Sequence, residues 1–95
     1  MAKRINLLPR AEKELAALPL SVQDRIINKL ELLRDFPNLG PEMFDAFQGY
    51  RALLVAKNGY RVIYRVVSKD LIEIAYIRHC ARQTRRRLVQ SRQKS

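Results

Sequence analysis

Cysteine, histidine and tryptophan are almost absent from this chain of 95 residues. It contains one cysteine, Cys80, one histidine, His79, and no tryptophan. A single cysteine excludes an internal disulfide framework and is typical of a reducing compartment. Without Cys/His pairs there is no ligand set for structural zinc, and we expect the protein to need neither a metal nor another cofactor.

Long apolar runs are missing as well. No segment approaches the roughly 20 residues that a helix needs to cross a bilayer. The start of the sequence, residues 1–5, lacks the apolar stretch of a secretory signal. Hydrophobic residues still make up 47% of the chain, enough for the core of one small domain. We therefore expect a cytoplasmic domain with no membrane span and no membrane among its partners, unless its cationic end meets anionic lipid.

Acidic residues run out before the C-terminus. The last acid is Glu73, and residues 74–95 hold seven Lys/Arg and no Asp/Glu, whereas residues 1–73 hold twelve basic and nine acidic groups. The formal charge of the whole chain is +10. A cationic end of this kind indicates a polyanionic partner such as nucleic acid, an acidic protein or anionic lipid. The alternative is a solvated tail that has no ligand.

Apolar periodicity predicts two helices after a short strand. The strand covers residues 2–8, and the first helix begins near Pro9 and stops at Pro19. Ser21 is expected to cap a second helix, whose apolar stripe continues to Phe36. The two helices are expected to form a hairpin that packs on a sheet.

The second half of the chain has strand character. A connection over residues 38–48 is expected to contribute three core side chains, which are Met43, Phe44 and Phe47. Three strands then follow, at about residues 50–56, 60–67 and 71–78, before a short C-terminal helix or tail. This order predicts an α+β domain over residues 1–83, with helices on one face of a mostly antiparallel sheet, and a basic tail over 84–95.

Residues 60–67 have the strongest strand composition in the chain, because all are β-branched, aromatic or arginine. Arg61 and Arg65 are four residues apart and so project from one face of the strand. A loop over residues 68–70 would pair Val67 with Leu71, and therefore Arg65 with Glu73 and Arg61 with Ile77. Arg65 then has a carboxylate partner and Arg61 has none, which makes Arg61 a candidate for contact with an anionic ligand.

The position of Arg51 depends on the preceding turn. A two-residue turn at Asn58-Gly59 puts Arg51 on the opposite face from Arg61. A loop that also includes Lys57 puts Arg51 directly across from Arg65. The sequence leaves both registers open.

Several basic residues are candidates for binding nucleic acid or a protein partner. They are Lys57, Arg65, Arg78, Arg85, Arg86 and Arg87, the last three forming a basic patch on the expected C-terminal helix. His79 is the conventional proton donor and acceptor near neutral pH. Cys80 is interpreted as a small packed residue.

Together these features resemble the RelE/ParE superfamily of bacterial toxins. The resemblance spans about residues 5–83 and rests on the order of elements and on four sequence motifs. They are Ala11-Glu12-Lys13-Glu14-Leu15 with Leu18-Pro19, Phe47-Gln48-Gly49-Tyr50-Arg51, Gly59-Tyr60-Arg61-Val62-Ile63-Tyr64, and Ile77-Arg78-His79-x-x-Arg82. The resemblance implies a toxin of a type II toxin–antitoxin system, neutralised by an acidic antitoxin protein that covers its basic surface.

Two activities follow from the resemblance. RelE-like toxins cut mRNA on the ribosome without a metal, using clustered Lys/Arg and often a C-terminal tyrosine, whereas ParE-like toxins lack that full set and inhibit DNA gyrase. Arg61 matches the strand arginine that acts on the scissile phosphate. Arg51 approximates one residue of a basic pair whose second position is Leu53, and a further arginine maps to Cys80 or to Arg82.

The C-terminal tyrosine of RelE-like toxins is missing here, and related nucleases use a histidine, which is His79 in this chain. The resemblance thus implies a ribosome-dependent endoribonuclease with catalytic Arg61, His79, Arg82 and Arg51. The alternatives are a ParE-like inhibitor of DNA gyrase and a non-toxic nucleic-acid-binding module.

Overall fold

One strand, two helices and three further strands follow one another in the computed structural model, which describes residues 3–57 and 59–79. The elements are β1 (Arg4–Leu7), α1 (Pro9–Ala16), α2 (Leu20–Leu32), a 3-10 turn (Asp45–Phe47), β2 (Arg51–Val55), β3 (Tyr60–Ser68) and β4 (Leu71–His79). The predicted α+β order is confirmed. The predictions for Arg82, Arg85, Arg86, Arg87 and the C-terminal helix fall outside the described residues.

The four strands form one sheet in the order β1-β4-β3-β2. The three C-terminal strands make an antiparallel meander, and β1 adds in parallel to β4, with Ile5 opposite Ile72 and Leu7 opposite Ile74. Within the described residues, no helix has the length and apolar character needed to span a membrane.

The core lies between the two helices and one face of the sheet. Helix α1 contributes Ala11, and α2 with the residue after it contributes three apolar side chains, which are Ile26, Leu30 and Leu33. They pack against alternate residues of the strands, among them Val62, Tyr64 and Ile74, which are fully buried. This alternation marks one side of the sheet as the helix side.

Proline places both helix starts. Pro9 occupies the first turn of α1, where its missing N–H leaves no hydrogen bond unmade. Pro19 stands at the N-cap of α2, which begins at Leu20 without a side-chain cap, so the prediction that Ser21 caps this helix is wrong. Gln23 of α2 instead holds the connection between the helices, since its amide donates to the carbonyl of Leu18 at 2.8 Å.

The connection between α2 and β2 is held by a tyrosine from β3. The Tyr64 hydroxyl donates to the carbonyl of Pro37 at 2.7 Å and accepts from the N–H of Gly40 at 2.9 Å. Further along, Met43 and Phe47 are half-buried, but Phe44 is 74% exposed. The prediction that these three side chains fill the core is therefore wrong, because none of them belongs to the buried cluster, and Phe47 packs against Tyr50 and Tyr76 instead.

Candidate functional site

The two sides of β3 carry different chemistry. Tyr60, Val62 and Tyr64 point to the helix side, so Arg61 and Arg65 project from the other side of the sheet. The side chains on this second side that matter below are Tyr50, Arg61, Arg65, Tyr76 and Arg78, and we call it the arginine face.

Two bulges set which residues meet on the arginine face. Ser68 pairs with Leu71, and Val67 is the extra residue of the first bulge, so the predicted pairing of Val67 with Leu71 is wrong. From Val66 onwards the ladder follows the predicted register, and Arg65 lies opposite Glu73 as predicted.

Ala75 is the extra residue of the second bulge, on β4. Tyr64 pairs with Ile74 and Ile63 with Tyr76, which shifts the register by one residue from there to the end of the strand. Arg61 therefore lies opposite Arg78, and the predicted pairing with Ile77 is wrong. The shift returns Ile77 to the core and puts two arginines side by side.

Arg61 and Arg78 form an uncompensated cationic pair. The described residues contain four ion pairs, Arg10–Glu14, Glu31–Arg34, Glu42–Arg51 and Arg65–Glu73. Neither Arg61 nor Arg78 takes part in any of them. Like charges directly opposite one another on a sheet are destabilising, so this pair is an arrangement that an anion would stabilise. Two guanidinium groups with planar, bidentate donors are suited to a phosphate.

Arg65 is engaged within the protein. Its Nη2 lies 2.9 Å from Oε1 of Glu73, and its guanidinium carbon lies 5.6 Å from the centre of the Tyr50 ring. The hydrogen bond to Glu73 raises the pKa of the Arg65 guanidinium above its ordinary value. Arg65 was predicted to bind nucleic acid or a partner, and the structure gives its charge an internal partner.

Aromatic rings surround the cations of the arginine face. The Phe47 ring makes edge-on contacts with Tyr50 and Tyr76, at centroid distances of 6.3 and 6.0 Å. Two guanidinium carbons lie over the Tyr76 ring, that of Arg10 at 4.7 Å and that of Arg78 at 4.9 Å. Arg10 was missed by sequence reasoning, since no local pattern shows that a residue of α1 reaches β4.

Arg51 lies on the helix side of the sheet, away from Arg61. Val55 pairs with Tyr60 and Arg51 with Tyr64, so the connection is longer than either predicted turn. Arg51 nevertheless lies on the opposite face from Arg61, as the two-residue turn at Asn58-Gly59 predicted. Its Nη1 donates to the carbonyl of Gly40 at 2.8 Å, and its Nη2 lies 3.4 Å from Glu42. The side chain braces the connection before β2.

His79 is also separated from Arg61. It pairs with Tyr60, and the two rings meet edge-on with centroids 4.8 Å apart. Because Tyr60 packs against the core, His79 is on the helix side at the end of β4. Lys57 lies in the turn after β2, with a positive φ of 57°. The structure therefore places Arg61 opposite Arg78, whose guanidinium shares the Tyr76 ring with that of Arg10. Arg51 and His79 lie on the other side of the sheet.

The chemistry available on the arginine face is anion binding. Residues 3–57 and 59–79 hold no cluster of His, Cys, Asp or Glu that would bind a metal ion. Arg61 and Arg78 can hold a phosphate and stabilise negative charge that develops on it. The predicted proton shuttle, His79, is not placed beside them.

The fold defined by this sheet is that of the RelE/ParE toxins. The toxin–antitoxin complex RelBE2 of Mycobacterium tuberculosis matches with a TM-score of 0.69 and 17% identity, covering 83% of this chain and 99% of that one. The intact RelBE complex of E. coli matches with 0.69 and 19%, covering 80% and 94%. The chromosomal ParDE system of P. aeruginosa matches with 0.68 and 18%, covering 82% and 96%.

The sequence also matches a family model over residues 5–84, that of the ParE toxin of the type II toxin–antitoxin system parDE. The chain belongs to this toxin family. No curated protein is similar enough to match the sequence. The identities to the solved structures are low, so those structures establish the shared fold and leave the molecular target to be argued from the arginine face.

Proposed function

We propose that this toxin arrests translation by cutting mRNA on the ribosome, with Arg61 and Arg78 holding the scissile phosphate. The observation that carries the proposal is the juxtaposition of these two arginines, neither of which has an acidic partner among the described residues. Charge aimed at a phosphate stabilises the transition state of its cleavage without a metal ion. Arg61 acts here as the resemblance implies, and Arg78 becomes its partner in place of Arg51.

We also propose that an acidic antitoxin neutralises the toxin by covering its basic surface. Several structures with this fold are complexes with an antitoxin, including the archaeal RelE–RelB complex of Pyrococcus horikoshii. The formal charge of +10 on this chain favours a partner rich in Asp and Glu. In this proposal the toxin domain covers residues 1–83, and residues 84–95 form a basic extension.

The nuclease proposal is tested in a purified translation system with ribosomes and a defined mRNA. Arg61→Ala and Arg78→Ala should each slow cleavage by about 10²-fold, the usual effect of removing one group that stabilises developing charge. Arg34→Ala is the matched control, because Arg34 is ion-paired to Glu31 beside α2, which covers the other face of the sheet. Primer extension maps the new 5′ ends. Cleavage by Arg61→Ala at the wild-type rate would overturn the assignment.

A second function, inhibition of DNA gyrase, is favoured by two observations. The matching family model is that of ParE toxins, and the predicted catalytic residues Arg61, Arg51 and His79 lie on two sides of the sheet. Pulse labelling after induction separates the two functions. A nuclease stops protein synthesis first, whereas a gyrase inhibitor stops DNA synthesis first. The action of a gyrase inhibitor should depend more on residues 84–95 than on Arg61.

A further inference from the structure

Arg10 is a cation on the arginine face that comes from outside the strands. It lies in the first turns of α1, and its side chain is 63% exposed. Its guanidinium carbon nevertheless lies 4.7 Å from the centre of the Tyr76 ring, the ring that Arg78 approaches to 4.9 Å. Because Arg78 is directly opposite Arg61, three cations occupy one small area of the sheet.

Glu14 holds this arrangement in place. β1 ends at Leu7, so the edge of β4 beyond Ile74 lies beside α1. There the N–H of Ile77 donates to Oε1 of Glu14 at 2.8 Å, and Oε2 of the same carboxylate lies 3.6 Å from Nε of Arg10. One carboxylate thus ties α1 to the strand and helps to keep Arg10 over Tyr76. The distance between Arg10 and Glu14 is too long for a strong ion pair.

We propose that Arg10 is a second phosphate-binding point of the arginine face, contacting a phosphate next to the one held by Arg61 and Arg78 on a single RNA strand. The inference rests on the proposed function for the choice of RNA as ligand. The Nε of Arg10 faces Glu14, but its two Nη groups take part in no ion pair among the described residues and can donate to a phosphate. A guanidinium can also stack against an unstacked base of single-stranded RNA. A carboxylate of a protein partner would contact only the N–H groups of the Arg10 guanidinium. RNA offers both a phosphate for these groups and a base for the guanidinium plane, which favours RNA over an acidic peptide.

The test measures binding of the purified full-length toxin to a fully 2′-O-methylated single-stranded oligonucleotide, which cannot be cut. Fluorescence anisotropy over a series of KCl concentrations gives both affinity and salt dependence. Arg10→Ala should weaken binding about tenfold, as expected for loss of a charged hydrogen bond. It should also reduce the slope of log K against log salt by about 0.7, the value for one phosphate contact on a single strand.

Matched variants separate a specific contact from a loss of charge. Arg34→Ala removes the same charge from an ion-paired arginine beside α2 and should leave the slope unchanged. Arg10→Lys keeps the charge but not the planar stack, so it should retain the slope and lose part of the affinity. Tyr76→Phe keeps the ring and should bind as the wild type does, whereas Tyr76→Leu should weaken binding as Arg10→Ala does.

Equal effects of Arg10→Ala and Arg34→Ala would overturn the inference, as would a wild-type toxin that does not bind the oligonucleotide. Loss of antitoxin affinity without loss of oligonucleotide affinity in Arg10→Ala would assign Arg10 to an acidic protein instead and also overturn it. The cleavage assay reports the proposed function separately. If the wild type cuts mRNA and Arg10→Ala binds the oligonucleotide normally, the proposed function stands and the inference about Arg10 is wrong. If Arg10→Ala weakens binding but the wild type does not cut mRNA, the inference stands and the proposed function is wrong.

Discussion

Tyr64 shows how one residue fixes the entry to the sheet. Its side chain is fully buried, yet both hydrogen-bonding capacities of the hydroxyl are used, towards Pro37 and Gly40. The same segment leaves no room for a larger residue at Gly40, where a Cβ would lie 2.7 Å from the carbonyl oxygen of Ala52. The connection before β2 is thus determined by close polar contacts more than by apolar burial.

Replacement of Tyr64 by phenylalanine should lower the free energy of unfolding by about 1–2 kcal/mol, because the buried N–H of Gly40 and the partly buried carbonyl of Pro37 lose their partner. Urea unfolding at neutral pH measures this. Tyr50→Phe is the control, since the Tyr50 hydroxyl makes no hydrogen bond within residues 3–57 and 59–79. An equal loss in both variants would contradict the assignment.

The pH dependence of stability should also report on Tyr64. Burial raises the pKa of its hydroxyl above the ordinary value, although the Gly40 N–H and the charge of Arg51 act in the opposite direction. The folded state therefore holds this proton more tightly than the unfolded state does. The resulting stabilisation is complete below the unfolded pKa of about 10 and is lost as the pH rises further.

Unfolding free energies of wild type and Tyr64→Phe, measured from neutral to strongly alkaline pH, test this directly. The advantage of the wild type should be constant at neutral pH and shrink above about pH 10. An advantage that grows with pH would contradict the direction of the shift.

At the scale of elements, the bulge at Ala75 decides the composition of the arginine face. Without it, β4 would continue in the register that holds at Arg65 and Glu73, and Arg61 would face Ile77. The bulge changes the phase of the strand, so that Ile77 enters the core while Tyr76 and Arg78 face outwards. The apolar spacing of β4 contains this phase change, since Ile72 and Ile74 are followed by Ile77.

Arg51 acts at the same scale, as a brace between β2 and the preceding connection. Arg51→Met keeps the aliphatic stem and removes the donors to Gly40 and Glu42. We expect about 1.5–3 kcal/mol less stability, the range for a hydrogen bond that involves a charged group, with translation arrest unchanged per mole of folded toxin. Urea unfolding and the cell-free assay measure the two quantities. If Arg51→Met is as stable as the wild type but no longer arrests translation, Arg51 takes part in the activity and the prediction is wrong.

At the scale of the whole molecule, a strongly basic chain places its charges unevenly. The formal charge is +10. Among the described residues, Arg34, Arg51 and Arg65 lie within 3.4 Å of a carboxylate oxygen and Arg10 lies 3.6 Å from one, whereas Arg61 and Arg78 have no ion pair. Self-repulsion of this kind makes the folded state sensitive to anions. The sheet separates the helix-packed core on one side from Arg61 and Arg78 on the other.

Inorganic phosphate should therefore stabilise the toxin more than chloride at equal ionic strength. An anion that binds only the folded state, at a concentration ten times its dissociation constant, raises the free energy of unfolding by about 1.4 kcal/mol. Arg61→Ala and Arg78→Ala should lose this difference, and Arg34→Ala should keep it. Thermal unfolding in the two salts measures the effect, and an identical response of wild type and Arg61→Ala would contradict a phosphate site there.

The sequence by itself determined the order of elements and the faces on which Arg61 and Arg65 lie, because the alternation of side chains along a strand is a local property. Only the tertiary structure decided that Arg78 faces Arg61, that Arg10 reaches Tyr76, and that Arg51 and His79 lie on the other side of the sheet. A bulge of one residue reverses which residues share a face, and the path of α1 along β4 depends on contacts between residues far apart in the chain. Which cations meet is therefore set by register and packing, and neither can be read from neighbouring residues alone.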